Sequence, residues 1–131
     1  MIKAQRIITE AKRLLNTPFC HFGRSAIGID CSGLIWLSHT RSGMVLKRVD
    51  RHYHATWWKD PGQGERLFNG FQNEWNFDLI DKPIIGSVVL FRIYGRNVPI
   101  NHCGILINED QFIHSKSSIS RRNKSKTCLL Y

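Results

Sequence analysis

An α+β fold is what this sequence predicts, and three observations carry the prediction. Apolar residues recur at helical spacing in the first third of the chain. Short runs rich in Val, Ile and Phe follow Pro83, and Gly, Asn and Asp punctuate the gaps between them. Helices first and closely spaced strands afterwards give an α region packed on an antiparallel sheet.

The first helix rests on Ala4, Ile7, Ile8, Ala11, Leu14 and Leu15, which fall on one face. Pro18 pushes Thr17 out of the helical region, so the helix ends near Asn16. Pro18 to Ile29 reads as loop, with Gly23 and Gly28 as punctuation. Asp30 is an N-cap for a mostly buried helix, Cys31 to Ser38, that carries Leu34, Ile35, Trp36 and Leu37. After Gly43 an irregular stretch runs to Gly64 and holds Arg48, Arg51, His52, Tyr53, His54, Trp57, Trp58 and Lys59. Leu67, Phe68, Phe71 and Trp75 have the spacing of a short amphipathic helix, weakened at Gly70. Ile84 to Tyr94 is strand-like and Gly95-Arg96-Asn97 turn-like. His102 to Ile107 forms a second strand, and Asn108 to Asp110 leads tightly into a third, Phe112 to His114. Cys128 to Tyr131 reads as a last strand after the loose basic segment Arg121 to Lys126. With no repeat and no composition break, residues 1–131 are expected to form one domain.

Composition narrows the function classes. At 131 residues and 42% apolar, the chain can close one modest core and is too apolar for disorder. No apolar run reaches the roughly 18 residues of a membrane span, so no membrane insertion is expected. Lys3, Arg6, Glu10, Lys12 and Arg13 interrupt the apolar run a signal peptide needs, so synthesis in the cytoplasm is expected. Nineteen Lys and Arg against ten Asp and Glu give +9, which suits an anionic partner such as nucleic acid, an acidic membrane or a cell-wall polymer. Cys20, Cys31, Cys103 and Cys128 form no C-x-x-C pair and are expected to be thiols.

Asp30-Cys31-Ser32-Gly33 carries the chemistry. A cysteine in a helix's first turn faces unpaired N–H groups and the positive dipole end, which favour the attacking thiolate. Gly33 is expected to leave space for a substrate backbone beside the sulfur. The alternative is a small hydrophobe opening a buried helix. A nucleophilic thiol needs a base, and the base needs a holder. His102 and His114, on the two arms of the expected hairpin, fit as neighbours on one face, with His102 as base and His114 as holder. Zinc competes for Cys31, His102, Cys103 and His114, but strand alternation points His102 and Cys103 to opposite faces, so no metal is expected. His52 and His54 form at most a weak metal pair.

The chain resembles the NlpC/P60 family of papain-like cell-wall peptidases. The matching segments are Asn16-Thr17-Pro18-Phe19, Gly28-Ile29-Asp30-Cys31-Ser32-Gly33-Leu34, Ile85-Gly86-Ser87-Val88-Val89-Leu90-Phe91, Asn101-His102-Cys103-Gly104-Ile105 and Phe112-Ile113-His114-Ser115, in family order. The loop Phe19-Cys20-His21-Phe22-Gly23-Arg24 looks most like the subgroup carried on phage or gene-transfer-particle tails. The resemblance implies a papain-like α+β fold and a triad of Cys31, His102 and His114. It implies hydrolysis of a peptidoglycan stem amide with no cofactor, at the cell wall, with phage-tail proteins as further partners. It also implies that Asp30 and Ser32 hold the stem's amino end. Phe19 stands where the family usually has an oxyanion-stabilising tyrosine, so the oxyanion is expected to rest on the Cys31 N–H and a second donor, with His21 the candidate. Ser87 replaces the family's Asp in the Gly-Asp strand motif.

Three rival readings remain: the same triad acting as an amidase or acyltransferase on another substrate, a non-catalytic tail component, and a nucleic-acid module using the Arg48–Lys59 loop. A hydrolase does not need the last, and no nucleic-acid partner is expected.

Overall fold

The computed structural model describes residues 4–48, 53–117 and the backbone of Thr127–Leu130. Helix α1 spans Ala4–Arg13, and Asn16 closes the following turn at φ 70°, a conformation Asn tolerates better than most residues. Its expected apolar face is the buried one: Ala11 and Leu14 are 0% and 1% exposed. The segment expected to be plain loop contains a short hairpin, β1 (Arg24–Ser25) with β2 (Gly28–Ile29). Two-residue strands fall below what alternation can reveal in a sequence.

Helix α2, Cys31–Arg41, starts where expected and runs three residues past Ser38. Asp30 caps it through Gly33 N–H, 2.7 Å away. The expected helix around Leu67 is a single turn, α3 (Arg66–Asn69), that widens into a π turn over Gly70–Glu74. Phe71 is buried there, stacked on Phe77 and edge-on to Trp75.

Strands β3 (Val88–Phe91), β4 (His102–Leu106), β5 (Phe112–Ser115) and β6 (Thr127–Leu130) form one antiparallel sheet in sequence order. Strand β3 begins later than expected, since Ile84 and Ile85 are exposed and precede the tight turn at Gly86. The sequence Arg121–Lys126 lies outside the described residues, as do Arg51 and His52.

Helix α2 packs between α1 and the sheet, against β4. Leu34, Ile35, Ile105, Ile113 and Ile29, all fully buried, form the centre of the core. Burial of each such side chain contributes about 1.5–3 kcal/mol before chain entropy is subtracted. Ser115 Oγ donates to Ile29 C=O (2.8 Å) and ties the sheet to the strand before the cysteine. The architecture is the α+β fold expected from the sequence.

Candidate active site

Cys31 is the first residue of α2, so its sulfur sits at the helix's positive end. Cys103 and His102 both act on its thiol, whose pKa is lowered to about 6. The Cys103 contact is the largest cause; burial opposes it, His102 lowers the value further, and the Asp30 charge raises it. Cys103 itself is pushed well above the ordinary thiol range, by burial and then by Cys31. It therefore stays a thiol and acts as the S–H donor of the pair.

Both histidines lie on the sheet. Ile105 faces Ile113 and Leu106 faces Phe112, a register that sets His114 diagonal to His102 on one face. Gly104 makes the diagonal contact possible, because a Cβ there would lie 3.3 Å from the Cβ of His114 and 2.7 Å from Ile113 C=O. His102 Nε2 meets His114 Nδ1 at 2.7 Å. This leaves Nδ1 of His102 for the Cys31 thiol. His114 has its pKa lowered to about 4, by burial first and then by His102 and Lys116. It is neutral at pH 7, so its Nδ1 is able to accept the His102 N–H.

Two expectations are corrected here. Strand alternation was expected to keep His102 and Cys103 from one site, yet both reach the Cys31 thiol. The exception falls at the first two residues of β4, a strand buried on both faces there. Gly33 was expected to open space for substrate; a Cβ there would lie 2.0 Å from Gly23 C=O. Its lack of a side chain admits the protein's own loop.

The acidic and hydroxyl groups flanking Cys31 are enclosed in a network. Asp30 Oδ1 accepts from Gly33 N–H (2.7 Å), Arg24 Nη1 (2.6 Å) and Ser32 Oγ (3.1 Å). Its Oδ2 accepts from Phe22 N–H (2.9 Å) and from the Tyr53 hydroxyl. Arg24 Nη2 donates to Ser32 Oγ (3.0 Å), which also meets Tyr53 Oη at 3.3 Å. Burial lowers the Arg24 pKa, but its interactions with Asp30 and Tyr53 outweigh it and the net shift is upward. Burial and the Asp30 charge push the Tyr53 phenol up. Arg24 and Tyr53 were not singled out from the sequence. One basic residue in a Gly-punctuated loop just before an acidic N-cap was the available signal for Arg24; Tyr53 had none beyond its aromatic neighbourhood.

Phe19 bridges to Ile29 and lines the cleft without a donor. His21 also lines it, but its Nε2 bonds the Tyr53 carbonyl. A neutral imidazole has one N–H, so His21 is not the oxyanion donor expected. It holds the Tyr53 segment instead. The cleft encloses about 470 Å³ over Cys31 and His102, walled by Trp57, Trp58, Phe71, Trp75 and Tyr94. Among the described residues no three His, Cys, Asp or Glu side chains are grouped as a metal site.

The sequence profile of the NlpC/P60 family matches residues 16–129. The chain belongs to that family. It is 29% identical over 130 residues to a Bacillus subtilis protein named probable peptidoglycan endopeptidase LytE, covering 95% of this chain and 31% of that one. The chain thus spans under a third of that relative's length. Among solved structures, the NlpC/P60 domain of the peptidoglycan hydrolase SagA superposes with a TM-score of 0.55 at 17% identity, over 96% of this chain and 88% of that one. An NlpC/P60 protein from Bacillus cereus superposes at 0.62 and 20% identity, over 98% and 34% of the two chains. At such identities the likeness is one of fold. Within this fold Cys31 and His102 line the cleft, and His114 bonds His102.

Proposed function

We propose that this NlpC/P60 chain is a thiol hydrolase that cleaves stem-peptide amides of bacterial peptidoglycan. The observation that carries the reading is the chain of contacts from Cys31 through His102 to His114 beneath an open cleft. The names of its relatives, a probable peptidoglycan endopeptidase and a peptidoglycan hydrolase, supply the substrate class. The Cys31 thiolate attacks the amide carbonyl, and the first-turn N–H groups of α2 stabilise the oxyanion. His102 protonates the leaving amine, giving a thioester, and then activates the water that hydrolyses it. His114 keeps Nδ1 of His102 turned to the sulfur throughout. Carriage to the wall on a phage tail is part of the same proposal and rests on the Phe19–Arg24 loop.

Incubation with purified muropeptides, with products identified by mass spectrometry, tests this. One new amine and one new carboxylate should appear within the stem, and Cys31→Ala should abolish both. Intact muropeptides with the native protein, or full activity in Cys31→Ala, would sink the proposal.

A further inference from the structure

The Asp30 network bears on which stems the cleft accepts. A carboxylate offers about four lone-pair sites, and Asp30 already accepts five donors. Its charge is matched by Arg24, and the two side chains are 5% and 8% exposed. The Ser32 hydroxyl is equally committed, donating to Asp30 and accepting from Arg24. A substrate ammonium arriving beside Cys31 would find no vacant acceptor there.

It would also meet positive charge. Arg24, Arg66 and Lys116 line the cleft, and the Arg66 guanidinium lies over the Tyr53 ring, 5.5 Å from its centroid. The other described carboxylate of the lining, Glu74, faces Lys47 at 3.9 Å. Displacing Arg24 or Tyr53 would strip a buried charge of its partner, which a single ammonium contact does not offset. A neutral amide makes no such demand, and the wall beyond offers aromatic faces, with Trp58 stacked on Tyr94 at 4.9 Å.

We infer that the cleft takes stem peptides whose amino end is acylated and discriminates against those with a free ammonium. This rests on the hydrolase reading and narrows its substrate to stems still joined to an acyl group. That group is the glycan's lactyl carboxyl in intact wall material; a simple N-acetyl cap supplies the same chemistry.

Binding and cleavage together test it, using one stem sequence as the free amine, the N-acetyl peptide and the disaccharide-linked muropeptide. Cys31→Ala should bind both acylated forms at least about tenfold more tightly than the free amine by calorimetry at pH 7. The native protein should show the same order in kcat/KM. Equal performance by the two acylated forms assigns the preference to the amide, and a further gain with the disaccharide assigns part of it to the sugar. Tyr53→Phe, which vacates one acceptor position on Asp30, should shrink the acyl preference several-fold without reversing the charge pair. Equal or tighter binding of the free amine overturns the inference while cleavage still upholds the hydrolase reading. Binding of none of the three overturns both.

Discussion

Cys31 is held as a thiolate by neighbours whose charges and donors nearly oppose one another. The Cys103 S–H and His102 pull its pKa to about 6, against burial and the Asp30 carboxylate. Arg24, 2.6 Å from Asp30, offsets part of that carboxylate's effect. Replacing Cys103 with Val removes the donor and keeps the packing volume roughly constant. The pH midpoint for iodoacetamide labelling of Cys31, followed by peptide mapping, should then rise from about 6 toward the ordinary thiol value of about 8.5. A midpoint left at 6 would show that Cys103 does not act through that hydrogen bond. In the native protein Cys31 should outpace the exposed Cys20 in mildly acidic solution. His114 gives a second, opposite-signed expectation. Its folded pKa, about 4, lies below the unfolded value of about 6.5, so the unfolded chain binds the extra proton between those pH values. Stability should therefore fall as pH drops from about 6.5 to about 4, read as the urea midpoint. His114→Gln should flatten that slope while lowering kcat roughly tenfold or more through loss of a correctly held His102.

At the level of elements, the start of α2 concentrates the structural constraints. Asp30 caps the helix, anchors the Phe19–Ile29 loop through Phe22 N–H and pairs Arg24. Asp30→Ala leaves a buried guanidinium unpaired and should cost about 3–5 kcal/mol in urea unfolding. A cap alone accounts for about 1 kcal/mol, so a loss of that smaller size would mean Arg24 finds solvent in the variant. Leu14→Ala, in the turn after α1, should cost about 2–5 kcal/mol without shifting the Cys31 labelling midpoint. The helices were legible from the 3.6-residue apolar period, as in Ala4–Leu15, and the central hairpin from short apolar runs bounded by turn residues. The β1–β2 hairpin was not, since two residues show no period. Gly33 misled for a related reason: an absent side chain marks a close approach without saying what approaches.

Across the whole molecule, the sequence carries a net charge of +9, and Arg24, Arg66 and Lys116 line the cleft. Screening shortens from about 10 Å at 0.1 M salt to about 3 Å at 1 M, so pelleting with insoluble wall material should fall over that range. Cleavage of a small soluble muropeptide should change far less, and parallel loss of both would place the charge effect in catalysis. By itself the sequence determined the helix–sheet order, the cysteine at a helix start and the two histidines sharing a strand-pair face. Each of these is a local consequence of periodicity, capping or alternation acting over a few residues. The tertiary structure alone decided that Tyr53 closes over Asp30 from 23 residues away and that Cys103 acts on the Cys31 thiol. It alone spent the His21 N–H on a backbone carbonyl. Such contacts depend on how loops and strand ends lie across one another. That arrangement is fixed by core packing and polar satisfaction over the whole chain, and no local pattern encodes it.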